Sequence, residues 1–238
     1  MKLTFTKMLA LGAASLLTVS IAQAGTVITE QDGSGSSTPS VWTSNFNTTN
    51  DLLDGLAASS STGEFANEAP SGGLSVMTDG LLPAINDISI FATVGDNGGG
   101  GGTQAIYTFG SAVNLTDVQL YGGWVNFGRA DVNTTVSYST DGGSTYTLLG
   151  TENKDNGGGG PVAFFVNFAD DTTTYIGSNA NITNLKFDFG PGLNGNGYQG
   201  MAEIVAHGVA ATPEPSTIAL GLSGALVLGL CMFRRRLA

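Results

Sequence analysis

Short segments in which apolar and polar residues alternate, separated by turn-forming residues, constrain the fold most strongly. In residues 185–189, a leucine and two phenylalanines alternate with Lys186 and Asp188. A period of two places the apolar side chains on one face of a strand and the polar side chains on the other. Related segments occur at residues 104–109, 115–121, 134–139, 162–168, 182–189 and 201–207. The sequence therefore predicts an all-β fold, an antiparallel β-sandwich.

Turn and helix signals complete this prediction. Asp-Gly-Gly at residues 141–143 predicts a hairpin turn, because Asp and Gly tolerate the positive φ of tight turns. The only helix predicted inside the domain is a turn or two at residues 50–58, with Asn50 or Asp51 as its cap. Residues 25–40 are rich in glycine and serine, which predicts a mobile lead-in that contains one edge strand.

The charge balance limits the partners of the domain at residues 25–211. It contains three basic residues, Arg129, Lys154 and Lys186, and all of the 19 acidic residues except Glu214, for a net charge of −15. This excess of negative charge argues against nucleic acid and anionic lipid as partners. Cations, neutral sugars and other surface proteins fit better, although acidity also serves solubility.

Cysteine and histidine are almost absent, which restricts the chemistry. The one cysteine, Cys231, lies in the C-terminal apolar run, so the domain contains no disulfide and no thiol nucleophile. The one histidine, His207, rules out a zinc site with several histidines, and it is expected to be an outward-facing strand residue. Carboxylate-based glycoside hydrolysis is the enzymatic alternative that remains.

The N-terminus has the features of a secretory signal. Lys2 and Lys7 precede an apolar stretch at residues 8–21, and Ala22-Gln23-Ala24 supplies the small residues that a signal peptidase prefers. The stretch is short for a transmembrane helix. We therefore expect a signal helix at residues 1–24, removed after Ala24, and an exported domain at residues 25–211.

The C-terminus combines a rigid cap, an apolar run and a basic stop. Its elements are Pro213, Glu214 and Pro215, then residues 218–233, then Arg234, Arg235 and Arg236. As a helix the run is roughly 24 Å long, which is just sufficient to span a membrane if flanking residues extend it. The arginines are expected to stay on the cytoplasmic side.

This order of elements resembles the PEP-CTERM sorting signal of Gram-negative bacteria that make exopolysaccharide. The resemblance covers residues 212–238, with a transmembrane helix at 217–233. It implies that an exosortase recognises the signal and cuts near the Pro-Glu-Pro box. The protein would pass through an inner-membrane intermediate to the cell surface or extracellular matrix. A plain C-terminal membrane anchor is the alternative reading.

Residues 78–208 resemble a discoidin or coagulation-factor type C domain, the galactose-binding-like jelly roll found in many carbohydrate-binding modules. The resemblance rests on the order of four pieces: an early Asp79-Gly80, the paired segments 106–110 and 115–121, the strand and turn at 137–146, and the closing segment 200–205. It implies a structural calcium ion held between Asp79 and Glu203. Alternatively, Asp79 caps a turn and Glu203 is a solvated strand residue.

Sugar-binding modules commonly stack an exposed aromatic ring on the sugar and fix its hydroxyl groups with polar side chains. The candidate ligand-binding residues are Trp124, Tyr121, Arg129 and Tyr198, and the glycines before Trp124 are expected to leave its ring uncovered. Packing in the core is the alternative role for Trp124. The sequence as a whole predicts an exported, noncatalytic polysaccharide-binding module, with a structural or adhesive biofilm protein as the alternative.

Overall fold

The computed structural model describes residues 26–33, 37–68, 70–95, 102–125, 127–156, 161–170, 174–177, 180–194 and 197–211. The expected signal peptide and the sorting signal, including Pro213, Glu214, Pro215 and the three arginines, lie outside these residues. Within the described part of the chain, no helix is both long and apolar enough to cross a membrane.

Nine strands and one α-helix make up the regular structure of the described residues. The strands are β1 (Thr26–Gly33), β2 (Ser60–Thr62), β3 (Ala92–Gly95), β4 (Thr103–Trp124), β5 (Val132–Ser139), β6 (Thr147–Lys154), β7 (Val162–Ala169), β8 (Ile182–Phe189) and β9 (Tyr198–Ala210). The helix is α1 (Ser40–Asn45), and short 3-10 turns occur at Leu74–Thr78, Ile88–Ile90 and Phe127–Arg129. All strand pairs are antiparallel.

Strand β4 belongs to both halves of the sheet. Its first part pairs with β2 and β8, and its second part, after an irregularity between Thr108 and Val113, pairs with β7 and β9. Half-sheet I has the order β2-β4-β8-β5-β6, and half-sheet II has the order β1-β7-β4-β9-β3. The predicted segments at 104–109 and 115–121 are therefore two parts of one bent strand.

The main hydrophobic cluster lies between the two half-sheets. It draws Tyr107, Leu185 and Phe187 from half-sheet I and Leu120, Phe168 and Ile204 from half-sheet II, all fully buried. In β8, Leu185, Phe187 and Phe189 belong to this cluster whereas Lys186 and Asp188 are only partly buried. The predicted alternation and the predicted antiparallel β-sandwich are confirmed.

A second hydrophobic cluster covers the outer face of half-sheet II. Its members are Val41, Trp42, Ile85, Phe91, Tyr121, Trp124, Ala163, Phe165, Ala202 and Val205. Asp32 holds α1 in place, because its Oδ2 accepts hydrogen bonds from the backbone of Ser40 (2.7 Å) and Val41 (3.2 Å). These bonds satisfy amide groups of the first helical turn and lower the pKa of Asp32, with the Ser40 hydroxyl as the largest contributor.

Two local predictions have different outcomes. The hairpin turn at residues 141–143 is confirmed, since it joins β5 to β6 with positive φ at Gly142 (74°) and Gly143 (88°). The prediction of a helix at residues 50–58 is wrong. Asp51 instead forms an antiparallel bridge with His207, and Asn50 has a positive φ of 63°. The expected edge strand in the N-terminal lead-in is confirmed as β1.

Candidate functional site

The structure buries two of the predicted ligand-binding residues. Trp124 is 2% exposed and Tyr121 is fully buried, because both side chains point to the outer face of half-sheet II beneath the second cluster. The ring of Phe91 packs edge-on against Trp124, with centroids 5.6 Å apart. The expectation that the glycines leave the Trp124 ring uncovered is therefore wrong, and the alternative of core packing holds for Trp124.

The glycines beside Trp124 serve close packing and do not expose the ring. A Cβ on Gly123 would lie 2.2 Å from the carbonyl oxygen of Val162, and its φ is +152°. A Cβ on Gly122 would lie 2.2 Å from Cζ of Phe164. The two glycines before Trp124 are required because β7 approaches the end of β4 closely.

Arg129 and Tyr198 lie at the same end of the sandwich as Trp124. The Arg129 guanidinium is 5.0 Å from the Trp124 ring centroid and forms an ion pair with Glu68. Only 12% of the Arg129 side chain is exposed. Burial lowers the pKa of Arg129, and the partly exposed Tyr198 lies close enough to act in the opposite direction. Three of the predicted residues thus cluster, but most of the surface of Arg129 is occupied by protein contacts.

Asp79 and Glu203, the predicted calcium ligands, are brought together. Asp79 ends the 3-10 turn Leu74–Thr78, and its Oδ1 accepts a hydrogen bond from the backbone of Leu81 (3.0 Å). The next residue, Gly80, contacts Glu203 Oε1 through its N–H at 3.4 Å. Glu203 lies opposite Tyr121 on the outer face of half-sheet II and is fully buried, so it is not a solvated strand residue.

Burial raises the pKa of Glu203 to about 10, and repulsion from the Asp79 carboxylate adds to this shift. The Oε2 atom of Glu203 is buried without a hydrogen-bond partner. A buried carboxylate oxygen of this kind, next to a second carboxylate, is the hard ligand that calcium prefers. The residues therefore fit the ion in donor type, and backbone oxygens would have to complete its shell. Calcium binding itself stays a prediction.

Two further carboxylates near this pair were not predicted from the sequence. Asp51 Oδ1 accepts hydrogen bonds from the backbones of Leu53 (2.9 Å) and Ala206 (3.0 Å), and its Oδ2 is buried without a partner. Asp54 Oδ1 lies 2.8 Å from the position that a Cβ on Gly80 would occupy. Nevertheless, the described residues contain no group of three or more His, Cys, Asp or Glu side chains arranged to hold a metal ion.

His207 connects the segment that follows α1 to half-sheet II. Its Nδ1 lies 2.8 Å from Asp117 Oδ1 and its Nε2 lies 2.7 Å from the carbonyl oxygen of Asn47. Because both partners are acceptors, both ring nitrogens donate when the ring is protonated. The bond to Asp117 raises the pKa of His207. His207 is thus on the outer face, as predicted, and both of its nitrogens have structural partners.

The outer face of half-sheet I is polar and lined by paired side chains. Strand register places Thr62, Gln104, Asp188, Thr135 and Thr151 side by side across five strands; we call these residues the polar row. Gln104 Nε2 donates to Asp188 Oδ1 (2.6 Å), and Lys186 Nζ lies 3.0 Å from Asp188 Oδ2. The hydroxyl oxygens of Thr135 and Thr151 are 3.0 Å apart.

A cleft of about 280 Å³ opens at the end of half-sheet I that carries the polar row. It is lined by Thr62, Gly102, Thr103, Gln104, Asp188, Phe189, Gly190 and Pro191. Buried Gln199 fixes one wall by donating to the carbonyl oxygen of Gly190 (2.6 Å), and Asn133 Nδ2 donates to that of Pro191 (2.9 Å). Sequence reasoning missed this cleft, because it depends on the register between strands that are distant in sequence.

Comparison with known proteins gives structural neighbours only. No family model and no curated protein matches the sequence. The family 32 carbohydrate-binding module of Clostridium perfringens NanJ, solved with galactose, is 16% identical and has a TM-score of 0.44, covering 65% of this chain and 95% of that one. A module from the same organism, CpGH89CBM32-5, solved with GalNAc-β-1,3-galactose, is 13% identical with a TM-score of 0.41, covering 66% and 97%.

A third neighbour includes a catalytic domain. It is the structure of the CBM32-1, CBM32-2 and M60 catalytic domains of C. perfringens ZmpB, with 14% identity and a TM-score of 0.47. The match covers 81% of this chain but only 17% of that one. Identities and scores of this size assign neither a family nor a ligand to the chain.

Proposed function

We propose that this chain is a noncatalytic polysaccharide-binding module of an exported bacterial surface protein. The observation that carries the proposal is the cleft on half-sheet I, where the Gln104 amide and the Asp188 carboxylate are held by a mutual hydrogen bond of 2.6 Å. A few fixed polar groups in an open cleft are what recognition of sugar hydroxyls requires. The negative charge of the chain favours an uncharged ligand.

The buried carboxylates support a binding role over hydrolysis. Glycoside hydrolysis needs two carboxyl groups that flank an accessible glycosidic bond. Glu203 beside Asp79 is fully buried. Asp131, which shares the Asn194 side-chain amide with Asp155, is also fully buried and accepts from the backbone of Asn156 (3.1 Å). Neither pair can present two carboxyl groups to a polysaccharide.

Affinity gel electrophoresis of the full-length chain against a panel of polysaccharides tests this function. We expect retardation by at least one neutral polysaccharide, with no retardation by alginate as the anionic control. The same samples should release no reducing sugar. A chain that no polysaccharide retards would instead favour the structural or adhesive role, whereas release of sugar would indicate a glycosidase.

We also propose that Asp79 and Glu203 hold a structural calcium ion. The support is the buried, unpartnered Oε2 of Glu203 next to the Asp79 loop. Calcium would supply positive charge that offsets the repulsion between the two carboxylates. The ion would stabilise the loop, and no binding role is assigned to it.

The C-terminal residues are proposed to direct sorting. Pro213 and Pro215 disfavour regular hydrogen-bonded structure, so the backbone beside Glu214 is expected to be accessible to a protease. In cells with an exosortase, the surface form is expected to end near Pro215. In cells without one, the chain is expected to stay in the inner membrane with its tail intact. Intact-mass analysis of both fractions measures this, and a surface form that ends at Ala238 would show that the tail is only an anchor.

Replacing Arg234, Arg235 and Arg236 with alanine is the matched variant for that experiment. On insertion scales, moving each arginine through hydrocarbon costs about 2.5 to 3.5 kcal/mol, so three arginines should strongly favour retention. The alanine variant is therefore expected to lose retention or cleavage. Unchanged processing would exclude a role for the arginine cluster.

A further inference from the structure

We infer that the polar row binds an internal stretch of a linear, uncharged polysaccharide that crosses the strands of half-sheet I. This inference rests on the proposed function and adds the location of the site and the class of its ligand. It differs from the sequence-based prediction, which placed the ligand beside Trp124 and Arg129.

The outer surface of half-sheet I is long enough for several sugar residues. Neighbouring strands in a sheet are about 4.8 Å apart, so the five residues from Thr62 to Thr151 span roughly 19 Å. The interval between strands is comparable to the length of one pyranose residue. The helix α1 packs on β7 and β1 in half-sheet II. It therefore does not cover the outer face of half-sheet I. An extended chain matches such a surface better than a single terminal sugar does.

The side chains of the polar row can both donate and accept hydrogen bonds. Threonine hydroxyls, an amide and a carboxylate together offer the donors and acceptors that sugar hydroxyls require. The Gln104–Asp188 and Thr135–Thr151 hydrogen bonds hold these groups in place before a ligand arrives, which reduces the entropy lost on binding. Thr62 and Thr151 are exposed, and Gln104, Asp188 and Thr135 are partly exposed, so all five can be reached.

The charges at the centre of the half-sheet I face are paired. Lys186 and Asp188 neutralise one another at 3.0 Å, so the centre of the face carries no net charge. Lys186 Nζ also lies 5.0 Å from the centroid of the Tyr146 ring. The basic group is therefore engaged on both sides and is not presented to an anionic ligand. An uncharged polymer is the ligand that this face accommodates.

Isothermal titration of the full-length chain with a cello- or manno-oligosaccharide series tests the inference, using whichever type of neutral polymer retards the protein. A row that spans several sugars predicts affinity about tenfold higher for the hexasaccharide than for the disaccharide, a difference of about 1.4 kcal/mol. A disaccharide that binds as tightly as the hexasaccharide would overturn the extended site.

Side-chain variants locate the site. Thr151→Val removes a hydroxyl from an exposed position, while Thr151→Ser retains it. We expect Thr151→Val combined with Gln104→Ala to weaken hexasaccharide binding at least about tenfold, and Thr151→Ser alone to bind like the wild type. The double variant Arg129→Gln with Tyr198→Phe tests the alternative site beside Trp124.

The possible results separate the two proposals. Loss of binding in the Arg129 and Tyr198 set, with normal binding in the Thr151 and Gln104 set, would overturn the polar row but leave the binding function intact. Loss in the Thr151 and Gln104 set alone supports it. If no neutral polysaccharide binds at all, the proposed function fails and this inference fails with it.

Discussion

In calcium-free buffer at pH 8, the Glu203→Gln chain is expected to be more stable than the wild type. Burial and the neighbouring Asp79 raise the pKa of Glu203 from 4.5 to about 10, so the folded wild type must keep this group protonated or bury a charge. Glutamine has nearly the same shape, needs no proton, and can keep the contact with the Gly80 N–H through its Oε1. The free energy of unfolding, measured in urea with a chelator, should therefore rise.

The sign of the pH dependence follows from proton binding. Between pH 4.5 and about 10 the folded state holds a proton on Glu203 that the unfolded state has lost. The free energy of unfolding of the wild type therefore falls as pH rises through this window, by at most about 1.4 kcal/mol per pH unit. The advantage of Glu203→Gln should grow with pH up to about 10 and should vanish below pH 4.5.

Calcium should reduce this difference. An ion that binds only the folded wild type adds about 2.7 kcal/mol at a hundredfold excess over its Kd, and the neutral amide introduced by Glu203→Gln cannot supply the negative charge. The exposed Glu30 on β1 provides the control, because Glu30→Gln should respond to calcium and pH like the wild type. Parallel pH profiles for wild type and Glu203→Gln would contradict the assignment, and an equal response of both to calcium would remove the ion from this site.

The local pattern of the sequence predicted the strands well. Every segment predicted as a strand from its alternation lies within β4, β5, β7, β8 or β9, because a period of two is a local signal that burial on one face imposes. The fusion of two segments into β4 could not be predicted, since Gly110 and the following residues resemble a turn in sequence yet continue as a strand. The short strands β2 and β3 have too few residues to show a period.

Predictions of the site depended on long-range pairing and were less successful. Asp79 and Glu203 meet because the Gly80 loop packs over β9, which the order of motifs anticipated. Trp124 is buried, against expectation, because Phe91, which lies outside its local sequence, packs on its ring. The polar row could not be predicted for a similar reason. Its residues lie far apart in the sequence, and only the register between strands brings them together.

Trp42→Ala is expected to be the most destabilising substitution in the N-terminal segment. Trp42 is fully buried on the outer face of half-sheet II, and its ring packs 5.9 Å from that of Phe91. Its indole Nε1 also donates to the carbonyl oxygen of Phe164 at 2.9 Å. Truncation of a buried tryptophan costs about 3 to 5 kcal/mol, a large part of the stability of an ordinary domain.

Urea denaturation of matched variants would measure this contribution. Thr43→Ala changes the next residue of α1, which is exposed, and should alter the free energy of unfolding by less than about 0.5 kcal/mol. Trp42→Phe keeps part of the packing but loses the bond to Phe164, so its cost should lie between those of the other two. A loss below about 1 kcal/mol for Trp42→Ala would mean that α1 contributes little to covering half-sheet II.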